Sequence, residues 1–395
     1  MTPIDSKRGL LALMVAHCAG MIDLVALPVW VGTLVAHYRF DPQQAGGLVT
    51  LFLIGAALAS VLFAPRFTGI PARTAALAGF TVGALAFTLS ANSTHFAVLA
   101  VLHFGGGLAA GTALSFTHGT IGRSRNPHRV FALAGLAIGL FGIVFLGVTP
   151  GLVQRLGGPT LFVAFALVMA TAALTTLLFF PAHGRASGTP LPSAARAPAP
   201  FRRGVWFAIA GVALLATTQA MTISFFERIG SARDFGLEMV TLALVIYGIV
   251  TLFPAPIAAL LEKRLQATTV LCTLPVLQAV FALLITHTSS YVLYAAAGAL
   301  MVFTIIFTHT FAFGLLARLD PSGRAAAGTP AMLMTGAAIG PILGGTLVKF
   351  AGFEAIGYAA VVLVALELLM FQLTRRAIRD DAPVHPVARA LAPRA

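Results

Sequence analysis

One carboxylate, Asp23, lies within the first long apolar stretch of the sequence, Gly9 to Ala36. Arg8 marks one end of that stretch, and a helical rise of ~1.5 Å per residue places Asp23 ~22 Å into a hydrocarbon layer ~30 Å thick. A charge at this depth costs about 2.5–3.5 kcal/mol, so such a residue normally faces a bundle interior or a watery cavity. The chemistry that Asp23 could perform there is the uptake and release of a proton.

Histidines supply the other proton-binding groups inside apolar stretches. His309 precedes Arg318 by nine residues, ~13 Å inward, and is deeper than His118, which precedes Arg123 by five. His103 and His118 are interpreted as buried histidines bonded to a backbone carbonyl or as residues at the membrane interface. His17 precedes Asp23 by six residues, about 120° around a continuous helix, so the two side chains are not expected to point at one spot.

Glu367 and a cluster of charged residues after the seventh stretch are interpreted as structural or surface residues. Glu367 is also buried by its distance from Arg375, and we interpret it as snorkelling or bonded between helices rather than as a coupling residue. Several charged residues surround the loop after the seventh apolar stretch and are interpreted as a solvated extracellular surface or a gate: Glu227, Arg228, Arg233, Asp234 and Glu238.

The composition is that of a membrane protein. Hydrophobic residues make up 58% of the chain and charged residues 9%, whereas a soluble domain has about 25% charged residues. The net charge of +13 is spread thinly between apolar stretches, which argues against a nucleic-acid-binding surface. Cys18 and Cys272 both lie inside apolar stretches, so neither a disulfide framework nor a metal signature is predicted.

Twelve stretches are long enough to cross a membrane as helices. They are Gly9–Ala36, Ala45–Ala64, Thr74–Ala91, Phe96–Ile121, Val130–Val153, Pro159–Phe180, Val205–Phe226, Leu237–Leu261, Ala267–Ile285, Tyr291–Leu316, Ala325–Val348 and Ala355–Leu373. The segment 181–203 is rich in Pro, Ala, Ser, Gly and Arg and is predicted to be a linker of low order. We therefore predict a six-helix bundle over 1–180, the linker over 181–203, a second six-helix bundle over 204–377 and a tail over 378–395.

Basic residues alternate between the loops. Of the 25 Lys and Arg residues, twenty fall on the side that holds both termini and the linker, and five fall on the other side. By the positive-inside rule, both termini and the linker are predicted to be cytoplasmic, in a multi-pass protein of the inner membrane. An odd number of spans would scramble this alternation.

The two halves of the sequence are alike. An offset of 195 residues places Arg8 on Arg203 and Arg123 on Arg318, and it places Asp23 on Thr218. At an offset of 194, the fifth and eleventh stretches align through their glycines. Such internal repeats are typical of secondary transporters, whose sites lie at the midplane between the repeats. The fold class predicted is an all-α membrane protein with twelve transmembrane helices in two pseudo-symmetric six-helix halves.

In these features the chain resembles the major facilitator superfamily, through its two sets of six spans, its central linker and two degenerate motifs. The family's loop after the second helix carries Gly-x-x-x-Asp-Arg-x-Gly-Arg; here it retains Arg66 and Arg73 but lacks the acid, whereas Glu262-Lys263-Arg264 in the second half keeps an acid–base pair. The other motif is the glycine–proline signature of the family's antiporters, which predicts gating or helix packing. It is loose in the fifth stretch and cleaner in the eleventh: Gly147, Pro150 and Gly151; Gly336, Gly340, Pro341, Gly344 and Gly345.

The resemblance implies a central cavity lined by the first, fourth, seventh and tenth helices. Asp23 and His309 are then the predicted proton-coupling residues. The predicted substrate-cavity residues are His17, Thr117, His118, Thr217, Thr218, Gln219, Thr304 and Thr308. No Lys or Arg falls in the middle of any predicted span, which favours a neutral or cationic, partly apolar cargo over an anion.

These residues leave three functional classes to weigh. The first, which we favour, is a proton-coupled secondary carrier working by alternating access, with export favoured over a proton symporter that takes up a small metabolite or organic acid. A membrane enzyme would need a nucleophile, metal-ligand or paired-acid arrangement, and the sequence offers none. A non-transporting sensor or scaffold would bring a folded soluble domain. The predicted partners are a small-molecule substrate, protons and the lipid bilayer. The protein is predicted to be a monomer, and no cofactor, metal or nucleic acid is predicted to bind.

Overall fold

In the computed structural model, the described residues are 3–4, 6–63, 70–181, 201–320, 325 and 329–380, and they contain sixteen helices and no strand. The helices of the first half are α1 (Lys7–Gly20), α2 (Ile22–Ala36), α3 (Pro42–Phe63), α4 (Ala72–Ala91), α5 (Phe96–Gly122), α6 (Pro127–Leu156) and α7 (Pro159–Phe179). Those of the second half are α8 (Arg203–Ser224), α9 (Phe226–Ala232), α10 (Leu237–Val250), α11 (Pro254–Leu261), α12 (Ala267–Thr273), α13 (Pro275–His287), α14 (Tyr291–Leu319), α15 (Thr329–Ala351) and α16 (Glu354–Asp380).

These helices form twelve spans that are long and apolar enough to cross a membrane, which confirms the predicted count. The predicted linker lies outside the described residues over 182–200, as does the predicted tail from 381 onward. Two predicted span ends are wrong. The twelfth span was predicted to end at Leu373 and the tail to begin at 378, but α16 continues to Asp380. The seventh span was predicted to end at Phe226, but it continues as α9 to Ala232, and this brings Glu227 and Arg228 inside the span.

Four spans consist of two consecutive helices. In the eighth and ninth spans the second helix begins with a proline, Pro254 and Pro275. Proline lacks the N–H that would continue the hydrogen-bond ladder and clashes with the preceding turn, so it suits the first position of a new helix. The first and seventh spans are interrupted without proline, at Met21 and Phe225.

Because the described helices cross the bundle twelve times, α1 begins and α16 ends on the same face, here called the terminal face. The opposite face is called the far face. The largest contacts between the halves join three pairs of spans: α3 with α15, α6 with α10, and α2 with α8 and α9. The contact between α3 and α15 reaches from Asp41 and Lys349 at the far face to Ala56 and Met334 deeper in the bundle.

Candidate functional site

Asp23 lies at the interruption of the first span. It is the second residue of α2 and is 6% exposed, and its Oδ1 atom has no hydrogen-bond partner among the described residues. The first amide groups of a helix lack intrahelical partners, and the positive end of the helix dipole favours negative charge there. The break therefore gives a buried carboxylate a local environment that tolerates its charged form better than a continuous helix would.

The break itself contacts both halves of the molecule. Met21 packs on a small apolar cluster formed by Ala56, Leu114 and Met334, which come from the second, fourth and eleventh spans. Gly20, just before the break, approaches Leu114 so closely that a Cβ atom would lie 2.9 Å from that side chain. Asp23 thus follows a point where the eleventh span of the second half meets three spans of the first half.

His17 and His118 contact each other. His17 Nδ1 lies 3.0 Å from His118 Nε2, so one ring donates a hydrogen bond to the other, and His118 also meets the edge of Phe131. Because the helix is interrupted at Met21, the angle of a continuous helix does not describe how His17 and Asp23 are related. The sequence did not predict this pairing.

His103 is a structural residue. Its Nδ1 atom donates to the carbonyl of Leu99 at 2.7 Å, and its Nε2 atom accepts from Trp30 Nε1 at 3.2 Å. Both ring nitrogens of the neutral imidazole are therefore used. The Trp30 ring is fully buried and packs against Phe52, Phe87 and Phe165, so His103 is a polar member of an aromatic cluster, in agreement with the carbonyl-bonded interpretation.

The predicted hydroxyl groups of the cavity are bonded within their own helices. Each predicted threonine donates to a carbonyl four residues earlier: Thr117 to Ala113, Thr217 to Ala213, Thr218 to Leu214, Thr304 to Leu300 and Thr308 to Thr304. Their oxygens remain free only to accept. Gln219 differs, because its side chain bonds to Tyr247 of the eighth span.

His309 and Glu367 each hold a buried polar atom without a partner among the described residues. The ring of His309 stacks on Phe313 at 5.1 Å between centroids, and its Nδ1 atom is unpaired. Glu367 is fully buried, and both of its carboxylate oxygens are unpaired. Both structural interpretations of Glu367 are therefore wrong for the described residues. A side chain that snorkels would be exposed, and one bonded between helices would have a hydrogen-bond partner.

The glycines of the eleventh span are packing residues. Gly336, Gly340 and Gly344 face α8, where a Cβ atom would lie 2.1 Å from Ala213 O, 2.6 Å from Ala220 Cβ and 3.0 Å from Met221 O, respectively. Gly345 and Pro341 face α3 of the other half. In the fifth span, Gly147 packs on Val245 and Pro150 lines a cavity, whereas a Cβ atom at Gly151 would meet nothing within 4 Å.

The predicted loop residues are only partly described. Arg66 lies outside the described residues. Arg73 donates to the carbonyl of Leu177 on the sixth span, and Glu262, Lys263 and Arg264 are exposed. The parts of the chain that the structure describes contain no group of three or more His, Cys, Asp or Glu side chains that could hold a metal ion.

The sequence did not predict that Glu227, at the interface between the halves, has a buried carboxylate oxygen. Glu227 is the second residue of α9, its Oε2 atom is buried, and its Oε1 atom accepts from Ser231 Oγ at 2.7 Å. The carboxylate lies against Gly32 of α2, where a Cβ atom would be 1.9 Å from Oε2. The sequence signal available was the pattern shared with Asp23, an acid beside an apolar stretch, but the predicted end of the seventh span placed Glu227 in a loop.

Glu227 borders a cavity of about 370 Å³ near the far face, here called the far cavity. It is lined by the first, fifth, seventh and eighth spans, so both halves contribute. Its polar lining comprises Thr33, His37, Gln154, Glu227, Arg228, Ser231 and Asp234. Asp23 does not line it, so the far cavity and the break in the first span are separate places in the bundle.

The sequence matches the Major Facilitator Superfamily over residues 12–334. The chain therefore belongs to this superfamily, as its resemblance predicted, and it is a multi-pass membrane transporter of the secondary-carrier class. A comparison with curated protein sequences gave no significant match.

Solved structures share the fold. A point mutant of the nucleoside transporter NupG has a TM-score of 0.73 at 15% identity, over 93% of this chain and 99% of that one. A bacterial homologue of the human lysosomal transporter Spinster, in inward-facing form, has TM-scores of 0.74 unoccupied and 0.75 occupied. In both cases the identity is 13%, over 96% of this chain and all of the other.

Proposed function

We propose that the protein is a proton-coupled carrier of a small neutral or cationic, partly apolar organic compound, with Asp23 as the coupling residue. The observation that supports this most is the unpaired, buried Oδ1 of Asp23 at the break in the first span. A carboxylate held away from water between two halves that rock about it can exchange a proton with either side. Export is favoured and uptake by proton symport is the second candidate. His309, with its unpaired Nδ1, is proposed as a second proton-binding group.

The proposed setting is the inner membrane, with the terminal face in the cytoplasm, because most Lys and Arg residues flank that face. The contacts between the halves lie near the far face and in the middle of the bundle, which supports an inward-facing arrangement. The proposed carrier acts as a monomer. Cytoplasmic reporters fused after Arg203 and after Ala395 are expected to be active, as is a periplasmic reporter after Ser93. A periplasmic signal at Ala395 would overturn this topology.

The coupling role is tested in proteoliposomes with an imposed pH gradient, using a panel of metabolites and drugs read by mass spectrometry. Asp23→Asn mimics the protonated acid at nearly the same volume, so insertion and thermal stability are expected to stay the same while accumulation against the gradient is lost. Asp23→Glu should retain some coupling with a shifted pH optimum. Glu238→Gln, an exposed acid, is the matched control. A stable Asp23→Asn protein that concentrates cargo at the wild-type rate would remove Asp23 from the mechanism.

The role of His309 is tested by cysteine accessibility. Cysteine at position 309, in a background without Cys18 and Cys272, is expected to react with a small thiol reagent and to be protected by transported cargo. Labelling that cargo does not alter would return His309 to a structural role.

A further inference from the structure

Two consecutive residues of α9 that line the far cavity carry one unpaired acceptor and one unpaired donor. Glu227 Oε2 and Arg228 Nε are both buried and have no hydrogen-bond partner among the described residues. Both side chains line the cavity. An unpaired buried polar atom costs about 1–3 kcal/mol, and more when the group is charged, so a ligand that satisfies both atoms gains more than one that satisfies either alone.

The remaining walls define the rest of the ligand. Val29, Pro150, Val153 and Leu237 provide apolar surface beside the charged pair. The volume of about 370 Å³ lies within the range of pockets that enclose small organic molecules. The cavity therefore suits a compact molecule with a charged head and an apolar body.

We propose that the far cavity binds a small zwitterion with an apolar side chain, its ammonium group on Glu227 and its carboxylate on Arg228. A zwitterion supplies the donor that Glu227 Oε2 needs and the acceptor that Arg228 Nε needs, and it brings no net charge into the bundle. An amine alone leaves Arg228 unpaired, and a carboxylic acid alone leaves Glu227 unpaired.

The site lies on the interface between the halves. The Glu227 carboxylate rests on Gly32 of α2 while Arg228 and Leu237 belong to the second half. A bound zwitterion therefore contacts α2 and α6 of one half and α9 and α10 of the other, and its binding depends on the spacing between them. This proposal stands apart from proton coupling, because Asp23 does not line the cavity.

The test is equilibrium dialysis of the purified full chain in detergent with radiolabelled L-phenylalanine, without a pH gradient, so that the result does not depend on coupling. Phenethylamine and 3-phenylpropionate, which keep the ring and one charge each, serve as competitors. We expect saturable binding of L-phenylalanine and competition by either analogue only at concentrations about tenfold higher or more. Saturable binding in which one analogue competes as well as L-phenylalanine would overturn the zwitterion assignment, as would the absence of saturable binding.

Variants locate the site. Glu227→Gln and Arg228→Gln are each expected to weaken binding about tenfold or more. The matched controls, Glu238→Gln and Arg155→Gln, change exposed residues near the same face. They should leave the binding affinity within about twofold of the wild-type value. If Glu227→Gln lowers the unfolding temperature, Val153→Phe fills the apolar wall without touching the charged pair and is expected to abolish binding. Unchanged binding in Val153→Phe, or in both Gln variants, would overturn the location.

Discussion

Two interfaces between the halves differ in character. Between α3 and α15 the two backbones are in contact. Between α6 and α10, including the turn that follows α10, apolar side chains fill the space. A Cβ atom at Gly46 would lie 2.1 Å from Pro341 O, and one at Gly345 would lie 2.1 Å from Pro42 O. The corresponding neighbours across the second interface are the side chains of Leu252 at Gly139 and of Val245 at Gly147. These are called the polar interface and the apolar interface below.

Hydrogen bonds sharpen the difference. Across the polar interface, Thr50 Oγ1 donates to Ala338 O at 2.7 Å, Gln43 Nε2 donates to Thr346 Oγ1 at 3.1 Å, and Lys349 Nζ contacts Asp41 Oδ2 at 3.0 Å. Close glycine contacts of this kind allow interhelical bonds that bulkier residues would prevent. Since opening the polar interface breaks several bonds at once, we expect the apolar interface to separate more readily when the halves move.

The largest effect is expected from Gly46→Ala. The new methyl group meets backbone atoms of Pro341, which cannot rotate away, so α3 and α15 must move apart at a cost of about 1–3 kcal/mol in the free energy of unfolding. Thermal unfolding of the purified protein in detergent measures it. The control is Gly47→Ala, one residue on, whose nearest neighbour is Ile342 Cδ1 at 3.8 Å. Equal unfolding temperatures for the two variants would contradict the backbone contact.

A smaller effect is expected at the apolar interface. In Gly139→Ala the added methyl group meets the end of the Leu252 side chain, which can change rotamer, so the loss of stability should be about 1 kcal/mol or less. Combining it with Leu252→Ala should restore part of the loss that Gly139→Ala causes alone. Gly135→Ala, with no atom within 4 Å, is the control on the same helix. Losses that simply add in the double variant would argue against the contact.

Thr50→Val removes one hydrogen bond and keeps the shape of the side chain. Interhelical hydrogen bonds in membranes contribute about 0.6 kcal/mol on average, and we expect a loss of that size. Thr335→Val is the matched control, because the Thr335 hydroxyl donates within its own helix, to Ala331 O. An equal fall in stability in the two variants would show that the hydrogen bond from Thr50 to Ala338 does not stabilise the protein.

The smallest effect concerns the ion pair at the far face. Burial raises the pKa of Asp41, but hydrogen bonds from Gln44 N–H and Lys349 and the charge of Lys349 together outweigh it, so the net shift of that pKa is downward. The ion pair therefore stabilises the folded protein above the ordinary pKa of an aspartate, and this contribution is lost as the pH falls through the lowered value.

Lys349→Gln is accordingly expected to cost about 0.2–1 kcal/mol near neutral pH, as exposed pairs do. The difference from wild type should shrink below about pH 4. Unfolding temperatures measured across this range check it, with Lys263→Gln at an exposed position as control. A difference that stays constant down to acidic pH would mean that Asp41 is not the partner.

Hydropathy and loop charge predicted most of this fold because both follow from single residues. Predicted and observed span ends differ most where charged residues lie near the end, as at Glu227 and Arg228. Composition there cannot distinguish a helix that continues from a loop. The breaks at Pro254 and Pro275 carry a local signal. The break at Met21 carries none, although it gives Asp23 its place at a helix start.

The candidate site was harder to predict, because its contacts join distant parts of the chain. Asp23 was singled out by depth alone, and its burial agrees with that reasoning. The contact between His17 and His118 joins residues 101 positions apart. The direction of a threonine hydroxyl, toward its own helix or into a cavity, is a rotamer choice that composition and spacing do not encode.

The aromatic cluster around Trp30 gives the chain its own optical reporter. The sequence has two tryptophans; the indole of Trp30 is fully enclosed, and Trp206 is 57% exposed on the outer surface. Trp206→Phe therefore leaves a single tryptophan, on α2, two residues before the glycine on which Glu227 rests. Its fluorescence depends on the hydrogen bond to His103 and on the surrounding phenylalanines, so a displacement of α2 alters the wavelength and yield. Movement of the halves can then be followed by light in an otherwise native chain, without an attached dye.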